Sequence, residues 1–182
     1  PFPFTQTTGN LVNHVIHSTP NYIFDFSDLA YDPVRDLLYV GTGYHIQVFD
    51  TATITNNEPA IRVLGKPDSM LANIHVPTQS FVDGRRLALD VAGNRLFVAD
   101  SFRVVMFDLS DIVNGEPAQY VIGQANFTSQ SSGTTQKRFG GVAGLAYDST
   151  NQRLYVSDPS NRRVLVFDVR PAGSPATATC GT

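Results

Sequence analysis

Several residue types are scarce in this 182-residue chain, and each scarcity removes a class of function. Lysine occurs only at Lys66 and Lys137, and a formal net charge of −3 leaves no basic stripe for nucleic acid. The single cysteine, Cys180, cannot form a disulfide within the chain. No run of 18 apolar residues occurs, so we predict no membrane span. Because no basic stripe is present, we also predict no nucleic-acid partner.

The short motifs of common hydrolases and nucleotide-binding enzymes are absent as well. The chain has no G-x-S-x-G, no H-E-x-x-H and no P-loop. Its four histidines, His14, His17, His45 and His75, form no recurring ligand cluster, and His17 and His75 are one repeat apart, which indicates shared packing. We therefore predict no catalytic residue, no cofactor and no bound zinc or calcium.

The surface composition favours an exported protein. Arginine outnumbers lysine by eleven to two, and threonine, serine and asparagine are abundant. We expect an extracellular or periplasmic location. Asn126, Phe127 and Thr128 form a glycosylation sequon, a triplet that also arises by chance.

One twelve-residue segment occurs three times at equal spacing. "LAYDPVRDLLYV" at 29–40 returns as "LALDVAGNRLFV" at 87–98 and as "LAYDSTNQRLYV" at 145–156, so that the period is 58 residues. A fixed period of this length is the signature of a repeat architecture. We predict three units, at roughly 8–65, 66–123 and 124–181, and an N-terminal extension or strap strand at 1–7.

Each unit is expected to form four short strands. In the first unit these are "DLAY", "LLYVG", "HIQVFD" and "AIRVLG", and no segment shows a sustained helical period. An antiparallel unit with apolar residues on both faces cannot bury them alone, whereas radial stacking can. The prediction is an all-β β-propeller, since a two-sheet sandwich would not require every unit to repeat one strand pattern.

The residues that recur lead to more specific expectations. Three aspartates end first strands and three end third strands, where Asx turns explain them: Asp32, Asp90, Asp148, Asp50, Asp108 and Asp168. Six apolar positions recur in register and are predicted to be buried between blades: Leu38, Leu96, Leu154, Phe49, Phe107 and Phe167.

The third unit carries a family resemblance. "DSTNQRLYV" followed by "DPSNRRVLVFD", at 148–168, resembles an NHL repeat, and "VIGQANF" at 121–127 resembles the blade ending of bacterial members. The second unit lacks the asparagine of "SNRR", and the first reads "GTGYH" there. YVTN-type propeller repeats are the alternative. The NHL resemblance implies a propeller fold, and some NHL-type members are lyases or hydrolases with a metal in the channel.

Three blades are too few for a closed ring, because propellers carry four to eight. Three blades of a six-bladed geometry leave two apolar blade faces bare. Two copies closing a ring, further blades of a longer chain, or a filament would cover them. The expected partners are therefore the chain itself, further blades, or other proteins.

The loops between second and third strands offer a candidate binding rim. They carry aromatic and arginine residues, which contact surfaces favour: Tyr44, His45, Phe102, Arg103, Asn161, Arg162 and Arg163. Alternatively, Arg103 and Arg163 bridge adjacent blades through carboxylates. The resulting hypothesis is a non-enzymatic module for protein contact or self-assembly. A propeller hydrolase or lyase with a channel metal, and recognition of carbohydrate or a cell surface by the rim, are the alternatives.

Overall fold

The computed structural model describes residues 26–43, 45–65 and 84–171 of the chain. Its strands form three consecutive sheets, which we call blades 1, 2 and 3. Blade 1 contains β1 (Asp28–Asp32), β2 (Leu37–Gly41), β3 (Ile46–Asp50) and β4 (Arg62–Leu64). Blade 2 contains β5 (Arg86–Asp90), β6 (Arg95–Asp100), β7 (Arg103–Asp108) and β8 (Tyr120–Ile122). Blade 3 contains β9 (Gly144–Asp148), β10 (Arg153–Asp158) and β11 (Arg163–Asp168).

Every blade is an antiparallel meander in chain order. Within the described ranges the only helical element is a single 3₁₀ turn at Pro159–Asn161. The predicted all-β propeller architecture is therefore confirmed. The predicted fourth strand of blade 3 and the predicted strap at 1–7 lie outside the described residues. The exact boundaries of the three units remain a prediction.

Aspartates shape the turn between the first and second strand of each blade. The Asp32 carboxylate accepts a hydrogen bond from the backbone N–H of Val34 at 2.9 Å, and that of Asp148 accepts one from Thr150 at 2.9 Å. The Asp90 carboxylate accepts from the N–H of Gly93 at 3.0 Å. The bonds of Asp32 and Asp148 form Asx turns, and that of Asp90 reaches one residue further; this local bonding explains why the residue type recurs, as predicted.

The blades stack in order, with the first strand of each blade lying next to that of its neighbour. One core forms between blades 1 and 2, and a second forms between blades 2 and 3. The first core includes Tyr39, Ile46, Val48, Leu64, Leu96, Val98, Val105 and Phe107. The second includes Phe97, Ala99, Val104, Phe139, Leu154 and Val156. Blade 2 thus buries both of its faces.

The predicted burial between blades holds in part. It is confirmed for Leu96, Phe107 and Leu154. Phe49 is buried, but it lies opposite Leu38 on the face of blade 1 that points away from blade 2. Leu38 itself is half-buried. Phe167 points toward blade 2, but it is also half-buried, at the last described strand, where its ring packs at a steep angle to the Phe139 ring with the centres 5.9 Å apart.

Backbone hydrogen bonds join the outer parts of blades 1 and 2. The N–H of Gly65 donates to the carbonyl of Glu116 at 2.7 Å, and that of Gly115 donates to Val63 at 2.8 Å. The Asn114 side chain accepts from the N–H of Val63 at 3.0 Å. The segment before β8 therefore extends the edge of blade 1, which fixes the angle between the two blades. Among the described residues, no helix is long and apolar enough to span a membrane.

Candidate interaction surfaces

In the first predicted rim loop, the described residues Thr42 and His45 lie in the interior. His45, directly before β3, is fully buried, and Tyr44 lies outside the described residues. Burial lowers the pKa of the His45 imidazole to about 4, because the charged form would lose its hydration. The Thr42 hydroxyl donates to the backbone carbonyl of His45 at 2.8 Å and closes the loop. This loop supplies packing at neutral pH.

Arg103 of the second rim loop is also fully buried. Its guanidinium donates to the Asp100 carboxylate, with Nε at 2.7 Å from Oδ2 and Nη2 at 2.5 Å. Nη1 donates to the backbone carbonyl of Phe127. Phe102 is half-buried, and its carbonyl accepts from the Gln124 amide at 2.9 Å. The Arg103 guanidinium thus faces the interior.

The third rim loop shows the same arrangement in a more open setting. Arg163 donates to the Asp158 carboxylate at 3.0 Å and to the backbone carbonyls of Thr134, Thr135 and Arg138 at 2.6 to 2.8 Å. The Asn161 amide donates to Asp158 at 2.7 Å.

Asp158 is the centre of that arrangement. Its burial raises its pKa, but the hydrogen bonds from Asn161 and Arg163 outweigh this effect and hold the pKa below its usual value. Arg162, in a left-handed conformation between these two donors, is exposed. Of the predicted rim residues on the described loops, Arg162 is therefore the one whose side chain reaches solvent most freely.

Arg103 and Arg163 hold the connection between blades 2 and 3. Each pairs with a carboxylate of its own blade and donates to backbone carbonyls of residues 127–138. Among the described contacts the carboxylate partners lie in the same blade as each arginine, and the contacts that reach the inter-blade connection are made to backbone carbonyls. A signal for this was present: blades 2 and 3 carry Asp and Arg together, whereas blade 1 replaces both, with Thr42 and His45.

No group of three His, Cys, Asp or Glu side chains suited to a metal ion occurs within residues 26–43, 45–65 and 84–171. Predictions concerning His14, His17, His75 and Cys180 fall outside those ranges.

The outward face of blade 3, which we call the tail face, is an exposed apolar surface. It consists of Ala146, Tyr155, Val164 and Val166, which the strand register places side by side. Val164 is 61% exposed and Val166 is 53% exposed. The aligned residues of blade 2, Val104 and Met106, are buried against blade 3. The tail face therefore repeats a surface that is covered elsewhere in the same chain.

The outward face of blade 1, which we call the head face, is apolar as well. It consists of Leu29, Tyr31, Leu38, Val40 and Phe49. Leu29 is 60% exposed and Tyr31 is 52% exposed, whereas the aligned Leu87 of blade 2 is buried against blade 1. A hollow of about 510 Å³ lies on this face, lined by Phe26, Leu29, Leu38, Val40 and Phe49 together with Ser27 and Asp28.

The repeat predicted two bare apolar blade faces, and the aligned positions identify which residues form them. The rim residues were selected because they are aromatic or arginine side chains. The residues of the end faces are instead the ones whose aligned positions in blade 2 are covered by a neighbouring blade. Isolated apolar side chains on a surface need no explanation, whereas contiguous ones mark contact sites.

Comparison with known proteins supports the propeller fold. No family model matches the chain, and no curated protein matches it. Among solved structures, the WD40 repeats of RRP9 superpose with a TM-score of 0.51 at 15% identity. U3-55K gives 0.51 at 14%, and the mitotic checkpoint complex gives 0.50 at 16%. In each case 81% of this chain is covered, and it spans only 35% to 37% of the neighbour.

Proposed function

We propose that this chain is a non-enzymatic β-propeller module that works through protein–protein contact at its head and tail faces. The observation that carries the proposal is the exposure of Val164 and Val166 at positions where blades 1 and 2 bury the aligned side chains. Leaving contiguous apolar area in water forfeits roughly 25 cal/mol per Å², so a covered tail face is favoured.

The comparisons are compatible with this proposal at the level of fold. Propellers of the WD40 type in the superposed structures share the blade architecture, and two of those structures belong to RRP9 and to the mitotic checkpoint complex. Within the propellers, the "SNRR" segment at 160–163 and the "GQANF" ending at 123–127 support an assignment to the NHL type. We further propose an exported location, on the Lys-poor composition.

A photo-crosslinking experiment tests the contact function. A benzoylphenylalanine placed at Val164 in the source cells should give covalent adducts with a protein that mass spectrometry identifies, a second copy of this chain included. The same group at Val113, which is 49% exposed in the loop after β7, is the matched control and should give none. Equal yields at the two positions, or no adduct at Val164, would refute the proposed function.

A further inference from the structure

The two internal interfaces use different residue pairs at the same position of the repeat. At the interface of blades 1 and 2, Leu37 and Leu89 both pack against the shared core. At the interface of blades 2 and 3, the aligned positions hold Arg95 and Tyr147, whose Nη2 and hydroxyl oxygen are 3.3 Å apart. One interface therefore carries an apolar pair here and the next carries a polar pair.

The polar pair brings further contacts with it. Arg95 lies with its guanidinium carbon 5.4 Å from the centre of the Phe97 ring, and Phe97 lies 5.8 Å from the Tyr147 ring. Nη1 of Arg95 donates to the backbone carbonyl of Val169 in blade 3. Arg95 also pairs with Asp90 at 2.6 Å. Arginine, two aromatic rings and a carboxylate thus form one unit across the interface.

The outward faces of the chain repeat that unit. Arg153 lies beside the tail face, two residues before Tyr155 on β10, and is aligned with Arg95. It stands opposite Asp148 in the strand register, as Arg95 stands opposite Asp90. Beside it, Tyr155 takes the place of Phe97. On the head face, the residue aligned with Tyr147 is again a tyrosine, Tyr31, and it is exposed. The chain therefore carries both halves of a polar interface, one half at each end.

We propose that a second copy of this chain docks head to tail, with the head face of one copy seated on the tail face of the other. Arg153 of one copy then donates to the hydroxyl oxygen of Tyr31 of the second copy, as Arg95 does to Tyr147 within the chain. This inference rests on the proposed function and names its partner. It continues the blade stack across a chain boundary.

The state of the Tyr31 hydroxyl suits this contact. The hydroxyl donates to the Asp36 carboxylate at 2.9 Å, so its oxygen keeps lone pairs that accept a hydrogen bond from an incoming guanidinium. The hollow of about 510 Å³ beside Leu29 and Leu38 offers space for the side chains of Val164 and Val166. The proposed contact thus pairs the polar groups of the two faces and also brings their apolar side chains together.

Head-to-tail contact is heterologous, since different surfaces meet. If two copies close on each other, both contacts form in one ring, and if the rotation does not close, the copies grow into a filament. A tail-to-tail dimer is the competing arrangement, because the tail face alone is also apolar. Variants that block one face at a time separate the two arrangements.

The decisive experiment uses Leu29→Asp to block the head face and Val166→Asp to block the tail face. Both side chains are exposed in the single chain, so each variant should fold, which circular dichroism and urea unfolding check. By light scattering at micromolar concentration, the unmodified chain should have at least twice the mass of one 19.8 kDa chain, and each variant alone should have the mass of one. An equimolar mixture of the two variants should form a species of two chains, because one intact head meets one intact tail.

Each other result overturns the inference. A folded monomer of the unmodified chain at about 100 µM, roughly a hundred times a Kd of 1 µM, excludes docking of a second copy. A dimer of Leu29→Asp alone indicates tail-to-tail contact. A mixture that stays monomeric while the unmodified chain associates shows that other surfaces are used.

The arginine–tyrosine contact has its own test. Arg153→Ala should weaken association roughly tenfold or more, the effect of losing one hydrogen bond to a charged group. Tyr31→Phe keeps the ring and removes the hydroxyl, and it should weaken association alone but add little to Arg153→Ala. Tyr120→Phe, at a position 63% exposed on β8 of the middle blade, should change nothing. Additive losses of Arg153→Ala and Tyr31→Phe would contradict the proposed pair.

The two proposals fail in different ways. If the purified chain is monomeric but the Val164 crosslinker still captures an identified protein in cells, head-to-tail docking is wrong and the contact function stands. If the crosslinker captures nothing, the contact function itself is wrong.

Discussion

Replacing Arg103 with leucine should destabilise the fold more than replacing any exposed arginine of this chain. Arg103 and Asp100 are both buried, and the leucine would remove the Arg103 charge from the Asp100 carboxylate and its hydrogen bond from the Phe127 carbonyl. Breaking a buried ion pair by removing one partner costs about 3–5 kcal/mol. We therefore expect the free energy of unfolding of Arg103→Leu to fall by that amount in urea titrations.

Two arginines provide matched controls. Arg163→Leu removes the equivalent contact in blade 3, but Asp158 keeps hydrogen bonds from Gly140 and Asn161, and the Arg163 side chain is partly open to water. Its loss should be smaller, about 1–2 kcal/mol. Arg62→Leu, at an exposed position, should stay within about 0.5 kcal/mol of the unmodified chain.

Hydrogen exchange reports the second consequence. Because Arg103 holds the connection between blades 2 and 3, amides of residues 123–139 should exchange faster in Arg103→Leu than in Arg62→Leu. A stability loss below about 1 kcal/mol for Arg103→Leu, or a larger loss for Arg163→Leu, would refute the assignment of Arg103 as a buried structural ion pair.

Three further outcomes are expected. Phe107→Ala should lower the free energy of unfolding by about 3–5 kcal/mol, since the ring is fully buried in the first core; a urea-measured loss below 1 kcal/mol would contradict this. Gly123→Ala should lower the melting temperature, because φ is +89° and a Cβ would overlap the Phe139 ring; an unchanged melting temperature argues against this geometry. Burial lowers the pKa of His45 from 6.5 to about 4, so the unfolded chain binds the proton more readily than the folded chain. The free energy of unfolding should therefore fall by on the order of 3 kcal/mol from pH 6.5 toward pH 4. His45→Gln should reduce this pH dependence in urea titrations at pH 7, 5 and 4.

The repeated elements were predictable because their causes are local. An Asx turn after Asp32 depends on residues within three positions, and strand alternation depends on the two faces of one sheet. The period then predicts blades, since a unit with two apolar faces needs neighbours. Burial of Phe107 followed from its place in the middle blade, which has a neighbour on each side.

The rim residues could not be placed from the sequence because their environment depends on a connection far away in the chain. Arg103 donates to the carbonyl of Phe127, 24 positions on, and Arg163 donates to carbonyls 25 to 29 positions back. An arginine beside an aromatic residue indicates a contact surface when the segment that covers it in the fold is unknown. The better signal was the joint loss of Asp and Arg in blade 1, where Thr42 and His45 stand.

The blades of a propeller are repeats with similar apolar faces, so burial of these faces alone does not determine the order in which the blades stack. Apolar faces of similar shape would accept several neighbours, and a stack that depends only on burial could be joined in the wrong order. The pair at the Leu37 and Arg95 position distinguishes the two interfaces, because a guanidinium facing Leu89 would lose the Tyr147 hydroxyl as one of its acceptors, and Tyr147 facing Leu37 would lose Arg95 as a donor. Because Arg153 lies beside the tail face and Tyr31 lies on the head face, the proposed order that pairs these two side chains places a head on a tail.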